Sequence, residues 1–402
     1  MDFARRLFAA EWFARSPRPH RESTVSAYHL SAYHFLILFL QTFVLAALLT
    51  PFMRRIAPGL GFLDQPGERK VHQQPKPVLG GAAIFLSQMI VVFVDWFLLQ
   101  WLGANLSGEG GWFAEQISPL VKYAAGAKVV RTQMWGLVLG GLVVFLVGLY
   151  DDRFGMSPFM KLAGQILAGI ILYAANIRAT FLIPSEILTF VLTIFWVVLI
   201  TNSFNLLDNM DGLSGGVATI SLLALALATN WLGAQDFITA YLVTLAGAIV
   251  GFLLYNFYPS TIFMGDAGSM FVGYNLAAMS ILATFLSSSD EEWSQWAIIM
   301  PIVVMAVPIF DTLSVIIIRI KNHKPIFVGD KNHFSHRLVA MGMSHRGAVL
   351  TIYMVTLCTG VGALLLPHVD ATGALLILVQ TIAIFCIIAL LEYARNHHNR
   401  TQ

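Results

Sequence analysis

The chain has 402 residues, of which 57% are hydrophobic and only 11% are charged. A typical soluble domain has about 25% charged residues, so this composition excludes an ordinary water-soluble globular protein. The formal net charge of +2 is too small to indicate a nucleic-acid partner. We therefore expect an all-α fold, a polytopic helical bundle in a membrane.

The first 32 residues contain several arginines but only a short apolar patch, and no signal peptide is evident. Phe3, Leu7, Phe8 and Trp12 can share one face of a short helix at the membrane interface. A disordered tail is at least as well supported. Residues 1–32 are therefore predicted to be an N-terminal tail, interfacial or disordered.

Apolar stretches of about 17–25 residues, the length that crosses a bilayer core, can be placed eleven times after this tail. They predict transmembrane helices at residues 33–53, 78–100, 134–150, 159–175, 187–203, 213–231, 237–255, 267–286, 296–318, 347–366 and 371–392. We expect one membrane-embedded domain over residues 33–393 and a cytoplasmic tail over 394–402. Cys358 and Cys386 lie inside the last two stretches, which predicts buried thiols rather than a disulfide.

Lysine and arginine are concentrated in the connections that follow the odd-numbered spans. The positive-inside rule places these loops in the cytoplasm, although it leaves an arginine-containing N-terminal tail outside, which the rule disfavours. The same loops carry the unusual polar residues. Loop one has Lys70 and His72; loop three has Asp151 and Asp152, with Lys161 just beyond; loop five has Asn202, Asn205, Asp208 and Asp211; loop seven has Asn256 and Asp266; loop nine has His333, His336 and Arg337. This asymmetry predicts one site on the cytoplasmic face.

The polar residues of loop five recur every third position from Asn202 to Asp211. On one α-helix such a series drifts by about 60° per step, so its members cannot share a face. They can converge if the helix ends near Leu207 and the chain turns at Asp211-Gly212. The alternative is a simple inter-helix turn in which Asp211 is an N-cap.

Asp266 is the strongest candidate for a metal ligand, because GDAGS places a carboxylate between glycines at a predicted helix start. Oxygen ligands without cysteine favour Mg²⁺, or Mn²⁺, over zinc. The alternative is again an N-cap. Asp151 and Asp152 are adjacent and should point apart, so at most one is expected to bind a given ion. Asp311 lies inside span nine, where a charge is costly, and should have a partner in the bundle interior.

Two classes of function fit these features. A membrane phosphotransferase needs carboxylates for Mg²⁺ and basic residues for a diphosphate at headgroup level. A transporter needs ionisable residues near the midplane in repeated halves, and only Asp311 meets that description. His333 and His336 suit phosphate binding, with a lipid-headgroup contact as the alternative. The sequence favours the enzyme.

Taken together and in order, the motifs resemble the polyprenyl-phosphate N-acetylhexosamine-1-phosphate transferases. The matching segments are DDRFG, N-x-x-N-x-x-D-x-x-DGL, FMGDAGS, PIFDT and the histidine loop. The resemblance implies a UDP-N-acetylhexosamine donor, undecaprenyl phosphate as acceptor, release of UMP, and an active site on the cytoplasmic face of the plasma membrane. A homodimer is compatible with it. Where the GlcNAc branch commonly has His-x-His-His-Arg, this chain has Ser335 at the middle histidine.

The resemblance also implies roles for the candidate residues. Mg²⁺ is expected at Asp266 with Asp208, and a catalytic function at Asp151, Asp152, Asp208, Asp211, His333 and His336. Substrate contacts are expected from Lys70, His72, Lys161, Asn202, Asn205, Asn256 and Arg337. Loop one and the absence of three consecutive histidines favour GlcNAc as the sugar, and transfer of phospho-MurNAc-pentapeptide is the alternative.

Overall fold

The structure is a computed structural model that describes residues 32–66, 74–105, 126, 128–179, 185–231, 235–283, 295–325 and 332–401. Its longer elements are α1 (Ala32–Leu60), β1 (Leu63–Asp64), β2 (Lys76–Pro77), α2 (Gly80–Asn105), α3 (Arg131–Phe154), α4 (Pro158–Ala174), α5 (Glu186–Leu207), α6 (Leu213–Trp231), α7 (Asp236–Asn256), α8 (Gly265–Leu282), α9 (Met300–Val304), α10 (Ala306–Lys321), α11 (Phe334–Ala340), α12 (His345–Leu365) and α13 (Ala371–Thr401). Short 3₁₀ helices cover Gln295–Ile299 and Leu366–His368. The predicted all-α fold is confirmed, since a two-residue antiparallel pair is the only sheet in the described residues.

Each of the eleven predicted spans coincides with helix, but the spans are not equivalent. Eight of the described helices are long and apolar enough to cross a membrane. The predicted ninth span is broken at Met305, where the helices on either side are bent by 65°. The predicted fourth span, α4, has 17 residues and is a shorter apolar helix, while the predicted eighth, α8, is not among the eight. A polytopic bundle is established, and the number of eleven crossings stays a prediction.

Several helices begin where the sequence supplies a capping side chain. The hydroxyls of Ser157, Ser185 and Ser344 accept hydrogen bonds from backbone amides in the first turns of α4, α5 and α12. Pro158 follows the first of these caps, at a position where its missing N–H costs no hydrogen bond. These caps fix where each helix starts after a loop.

Helix α8 lies at the centre of the bundle, with every residue from Ala267 to Ser280 buried. It packs against α2, α3, α5 and α6, while α1 packs mainly along α7. Because small residues let helices approach closely, α8 and α2 are almost in backbone contact. A Cβ built on Gly81 would lie 2.2 Å from the backbone nitrogen of Gly268. The first turn of α8, the most enclosed helix, is therefore held against the first turn of α2.

The connection before α2 is joined to the connection before α8 by backbone hydrogen bonds. Phe263 N–H donates to the Pro77 carbonyl at 2.9 Å, and Gly81 N–H donates to the Met264 carbonyl at 2.8 Å. The β1–β2 pair precedes these contacts and aligns Asp64 with Lys76. These hydrogen bonds therefore hold the predicted loops one and seven together.

The predicted burial of the cysteines is wrong. Cys358 on α12 and Cys386 on α13 are both exposed. An apolar run in a membrane protein does not distinguish the protein interior from the lipid-facing surface, because both are apolar. The thiols lie on the outward side of two membrane-length helices.

Candidate active site

A cavity of about 1000 Å³ lies where the predicted cytoplasmic loops meet. Its acidic lining consists of Asp64, Asp152, Asp208, Asp211 and Asp266, and its basic lining consists of Lys76, His333, His336, His345 and Arg346. Loops one, three, five, seven and nine each contribute at least one of these residues. The structure therefore brings the loop clusters to one place, as the asymmetry of the sequence predicts.

Lys161 joins two carboxylates from different helices. Its ammonium lies 2.6 Å from Oδ2 of Asp151 and also contacts Oδ2 of Asp266. The contact connects the start of α4 with the end of α3 and the start of α8. The Lys161 ammonium thus offsets part of the negative charge of the carboxylates at the start of α8.

Asp152 points away from this ion pair. Its two oxygens accept hydrogen bonds from the backbone N–H groups of Asp266, at 2.7 Å, and Ala267, at 3.0 Å. A carboxylate at this place satisfies otherwise unpaired amides of the first helical turn and complements the helix dipole. The two adjacent aspartates have separate partners, as expected, and Asp152 rather than Asp266 is the cap of α8.

The turn between α5 and α6 has the predicted form. Helix α5 ends at Leu207, and Gly212 has φ of +76°, which favours glycine. Asn256 accepts from Gly212 N–H at 3.0 Å and donates to the Ile262 carbonyl at 2.9 Å. Asn256 is thus buried between two loops and fixes them to each other.

Asp211 has a partner in loop seven. Its carboxylate accepts from the Ser260 backbone N–H at 2.9 Å and from the Ser260 hydroxyl at 2.7 Å. Lys76 donates to the same hydroxyl at 3.0 Å and lies 4.0 Å from Asp211. These contacts replace the N-cap role that was the alternative interpretation, and they draw Lys76 into the site.

Asp208 is the carboxylate least engaged by the protein. No donor reaches its oxygens within the described part of the chain. Burial, and then the negative charges of Asp266 and Asp211, raise its pKa to about 8. A partly buried carboxylate among like charges is stabilised by an added cation, which makes this wall of the cavity suited to a divalent metal ion.

The donor set fits Mg²⁺ only in part. Among the described residues, no group of three His, Cys, Asp or Glu side chains is arranged as a metal site. Mg²⁺ commonly uses one or two carboxylates and completes its shell with water and substrate phosphates. Asp208 and Asp266 can supply that part of a shell.

Two predicted contact residues lie beside the cavity rather than on its lining. Asn205 donates to the Ser269 hydroxyl at 3.0 Å, one turn after Asp266. Asn202 exchanges hydrogen bonds with Gln165, whose Nε2 lies 3.2 Å from Asn202 Oδ1. The side chains of the series that begins at Asn202 therefore point in different directions along α5, as a three-residue spacing requires. Asn202, the first residue of the series, links α5 to α4.

The histidine loop is anchored to α10. His333 Nδ1 lies 2.9 Å from Oδ2 of Asp311, and Phe334 N–H donates to Oδ1 at 2.6 Å. The expectation that Asp311 has an interior partner is confirmed. His333 and His336 both line the cavity, with ring centroids 6.4 Å apart.

The two residues on either side of His336 face elsewhere. Ser335 is buried, and its hydroxyl donates to Asn209 Oδ1. Arg337 donates to Glu392 at 3.1 Å, and to Ser314 at 2.9 Å, so it connects α11 with α13 and α10. Neither side chain belongs to the cavity lining. A substrate contact for Arg337 stays a prediction.

Two further basic cavity residues, His345 and Arg346, were not among the candidates. Arg346 donates to the Tyr258 carbonyl at 3.2 Å and lies over the Tyr258 ring, and His345 stacks on the same ring. The signal for them was the Ser-His-Arg start of α12, which places two basic residues in a first turn next to a site. Lys70 and His72 lie outside the described residues.

Comparisons with known proteins identify the family. Residues 134–284 match the model of glycosyl transferase family 4. A probable undecaprenyl-phosphate N-acetylglucosaminyl 1-phosphate transferase of Bacillus subtilis (strain 168) is 32% identical over 361 residues, which cover 88% of this chain and 90% of the relative. The chain belongs to glycosyl transferase family 4.

Two other relatives of this family 4 chain are informative. A decaprenyl-phosphate N-acetylglucosaminephosphotransferase of Mycobacterium tuberculosis (strain ATCC 25618 / H37Rv) is 33% identical over 336 residues, covering 77% of this chain and 78% of the relative. A phospho-N-acetylmuramoyl-pentapeptide-transferase of Oceanobacillus iheyensis is 28% identical over 344 residues, covering 80% and 93%. The similarity to the first relative is the higher of the two.

Proposed function

We propose that this chain transfers N-acetylhexosamine 1-phosphate, with N-acetylglucosamine as the sugar, from a UDP-sugar to undecaprenyl phosphate. UMP is released, and the lipid-linked diphosphate sugar starts synthesis of a cell-envelope glycopolymer. The observation that carries the proposal is the single cavity in which carboxylates and basic side chains face each other. The names of the relatives from B. subtilis and M. tuberculosis support the substrate class.

In this reaction an oxygen of the lipid phosphate attacks the β-phosphorus of the UDP-sugar. A new P–O bond forms as the bond to the α-phosphate oxygen breaks, and UMP leaves with that oxygen. A phosphate monoester has a second pKa of about 6 and is largely ionised near pH 7, so a general base contributes little. Positioning and charge neutralisation are therefore the main demands on the protein.

The residues of the cavity can meet those demands. Asp208 and Asp266 would hold Mg²⁺, which supplies charge neutralisation at the diphosphate. Asp152 positions the first turn of α8 and thereby Asp266. His333 and His336 face the cavity, where they can bind anionic oxygens. Asp151 and Lys161 set the charge next to Asp266.

We propose that the cavity lies at headgroup level on the cytoplasmic side of the plasma membrane, where a polyprenyl acceptor can reach it. Eight membrane-length helices support a multi-pass membrane protein. The excess of lysine and arginine in the loops that build the cavity supports the cytoplasmic side. UDP-sugars are charged and bulky, so a donor from the aqueous phase and an acceptor from the bilayer can meet only at such an interface.

Transfer of phospho-MurNAc-pentapeptide is the second candidate, and the relative from O. iheyensis supports it. Two features favour the smaller donor. The relatives that transfer N-acetylglucosamine phosphate are 32% and 33% identical, against 28%. The histidine loop has His333 and His336 separated by a buried pair, Phe334 and Ser335, rather than consecutive histidines.

The test is an assay of purified protein in lipid nanodiscs with undecaprenyl phosphate and Mg²⁺. UDP-GlcNAc and UDP-MurNAc-pentapeptide are supplied separately, and both UMP and the lipid-linked product are measured. We expect turnover with UDP-GlcNAc. Turnover with the pentapeptide donor alone would overturn the choice of sugar, and turnover with neither N-acetylhexosamine donor would overturn the proposed function.

A further inference from the structure

We propose that Asp311 is a positioning residue that fixes the orientation and tautomer of His333 in the cavity. The inference deepens the proposed function, because it assigns a task to a buried carboxylate outside the cavity lining. Asp311 is 0% exposed and His333 is 5% exposed. His333 is the only one of the pair that lines the cavity.

In the proposed arrangement the imidazole carries its proton on Nδ1. Oδ1 of Asp311 accepts from the Phe334 backbone N–H at 2.6 Å, and Oδ2 lies 2.9 Å from His333 Nδ1. An ionised carboxylate has acceptors and no donor, so the imidazole must carry its proton on Nδ1 to form the second bond. Nε2 is then the nitrogen left for a ligand in the cavity.

The same contacts fix the position of the ring. His333 immediately precedes the first residue of α11, and the Phe334 ring packs edge-on against Phe310 with centroids 5.6 Å apart. Backbone, imidazole and neighbouring ring are therefore all held by consecutive residues of α10, Phe310 and Asp311. The imidazole is held by Asp311, and the adjoining residue is held at two points, so His333 loses little further entropy when it binds substrate.

Asparagine at position 311 separates this role from a purely structural one. Its carbonyl oxygen can still accept from Phe334 N–H, so the anchor of α11 is retained. Its NH₂ group is a donor, however, and faces Nδ1, which must then become an acceptor. The proton moves to Nε2, so the nitrogen that faces the cavity changes from a hydrogen-bond acceptor to a donor.

The kinetic experiment compares Asp311→Asn with wild type in the UMP assay. We expect kcat/KM to fall about 10- to 100-fold, the range found when an outer partner of a functional histidine is removed. Thr312→Val is the matched control, because Thr312 is the adjacent buried residue of α10 and bonds Ser203 at 2.9 Å, away from His333. It should reduce stability without reproducing the kinetic loss.

A double-mutant cycle tests whether Asp311 acts through His333. In a His333→Gln background, Asp311→Asn should cause no further loss of kcat/KM. Losses that multiply, or wild-type activity in Asp311→Asn, would overturn the proposal.

A spectroscopic measurement tests the tautomer without turnover. Wild-type protein with ¹⁵N-labelled histidine is compared with His333→Gln, so that the difference spectrum gives the His333 signals. The proposal requires a protonated Nδ1 in the wild type and, in folded Asp311→Asn, a shift of the proton to Nε2. A wild-type Nδ1 without a proton overturns it. Failure of the proposed function would instead appear as wild-type protein that releases no UMP, with this spectrum unaffected.

Discussion

Asp152 accepts a 2.7 Å hydrogen bond from the backbone amide of Asp266, so one acidic residue of the site holds the main chain of another. Asp152 and Asp266, both predicted to belong to the active site, thus have different tasks. Both carboxylates line the cavity, and Asp152 in addition positions the helix start. The first two predictions separate these tasks by measuring stability and activity together.

Asp152→Asn should reduce both stability and activity. An amide retains one acceptor oxygen, so one of the two bonds to the first turn of α8 is lost, at a cost of about 1–3 kcal/mol in the free energy of unfolding. Thermal unfolding in detergent and kcat measured on the same preparation check this. Asp151→Asn is the control, because it alters the Lys161 ion pair and leaves the cap intact. Equal stability losses in both variants would contradict a capping role.

Asp266→Asn should reduce kcat by orders of magnitude with little change in folding. A metal ion contributes several kcal/mol of charge stabilisation in the transition state, and an amide is a much weaker ligand than a carboxylate. The measurement is kcat as a function of Mg²⁺ concentration. Activity within about threefold of wild type at saturating Mg²⁺ would move the metal to Asp208 and Asp211.

The stability of the metal-free protein should fall as the pH rises from about 4 to about 8. The pKa of Asp208 is raised from 3.8 to about 8 in the fold, so the folded state binds more protons than the unfolded state in that window. The contribution is at most about 1.4 kcal/mol per pH unit titrated. Asp208→Asn should weaken this dependence and be the more stable protein near pH 8.

Added Mg²⁺ supplies a second readout of the same group. A cation bound at Asp208 favours the ionised form, so saturating Mg²⁺ should flatten the wild-type pH dependence and leave Asp208→Asn unchanged. Thermal unfolding across pH, with Mg²⁺ and with EDTA, measures both effects. Parallel curves for the two proteins under both conditions would exclude Asp208 as the titrating group.

The topology can be tested by cysteine accessibility in intact cells. After Cys358 and Cys386 are replaced by alanine, single cysteines at exposed positions Thr261 and Lys324 should react with an impermeant reagent only after cell lysis. A cysteine at Val129, exposed before α3, should react from outside. Labelling of Thr261→Cys in intact cells would place the cavity on the wrong side and remove the access of a UDP-sugar to it.

The helix positions follow from the sequence because apolar length is a local property. The break at Met305 does not follow from it, since the two limbs together have the length of one span. The partner of Asp311 could be expected to exist, because a buried charge in a bundle requires one. Its identity could not, because His333 is 22 positions away and is brought close only by packing of α11 against its neighbours.

The candidate site shows the same limit. A polar side chain makes a loop a candidate for the functional site, but residue type alone does not determine whether the side chain faces the cavity or another loop. Asn202 and Arg337 were candidates for substrate contacts, but neither lines the cavity, and the structure pairs them with Gln165 and Glu392. Arg346 was overlooked because one arginine at a helix start is a common surface feature, and only the cavity gives it a context.

The near-contact of Gly81 with Gly268 has a consequence for protein engineering. Since no side chain fits between them, the first turn of α2 and the first turn of α8 are closely matched in shape. A chimera that takes only one of these segments from a relative loses the close fit between them. A stably packed chimera is therefore expected only when both segments are exchanged together.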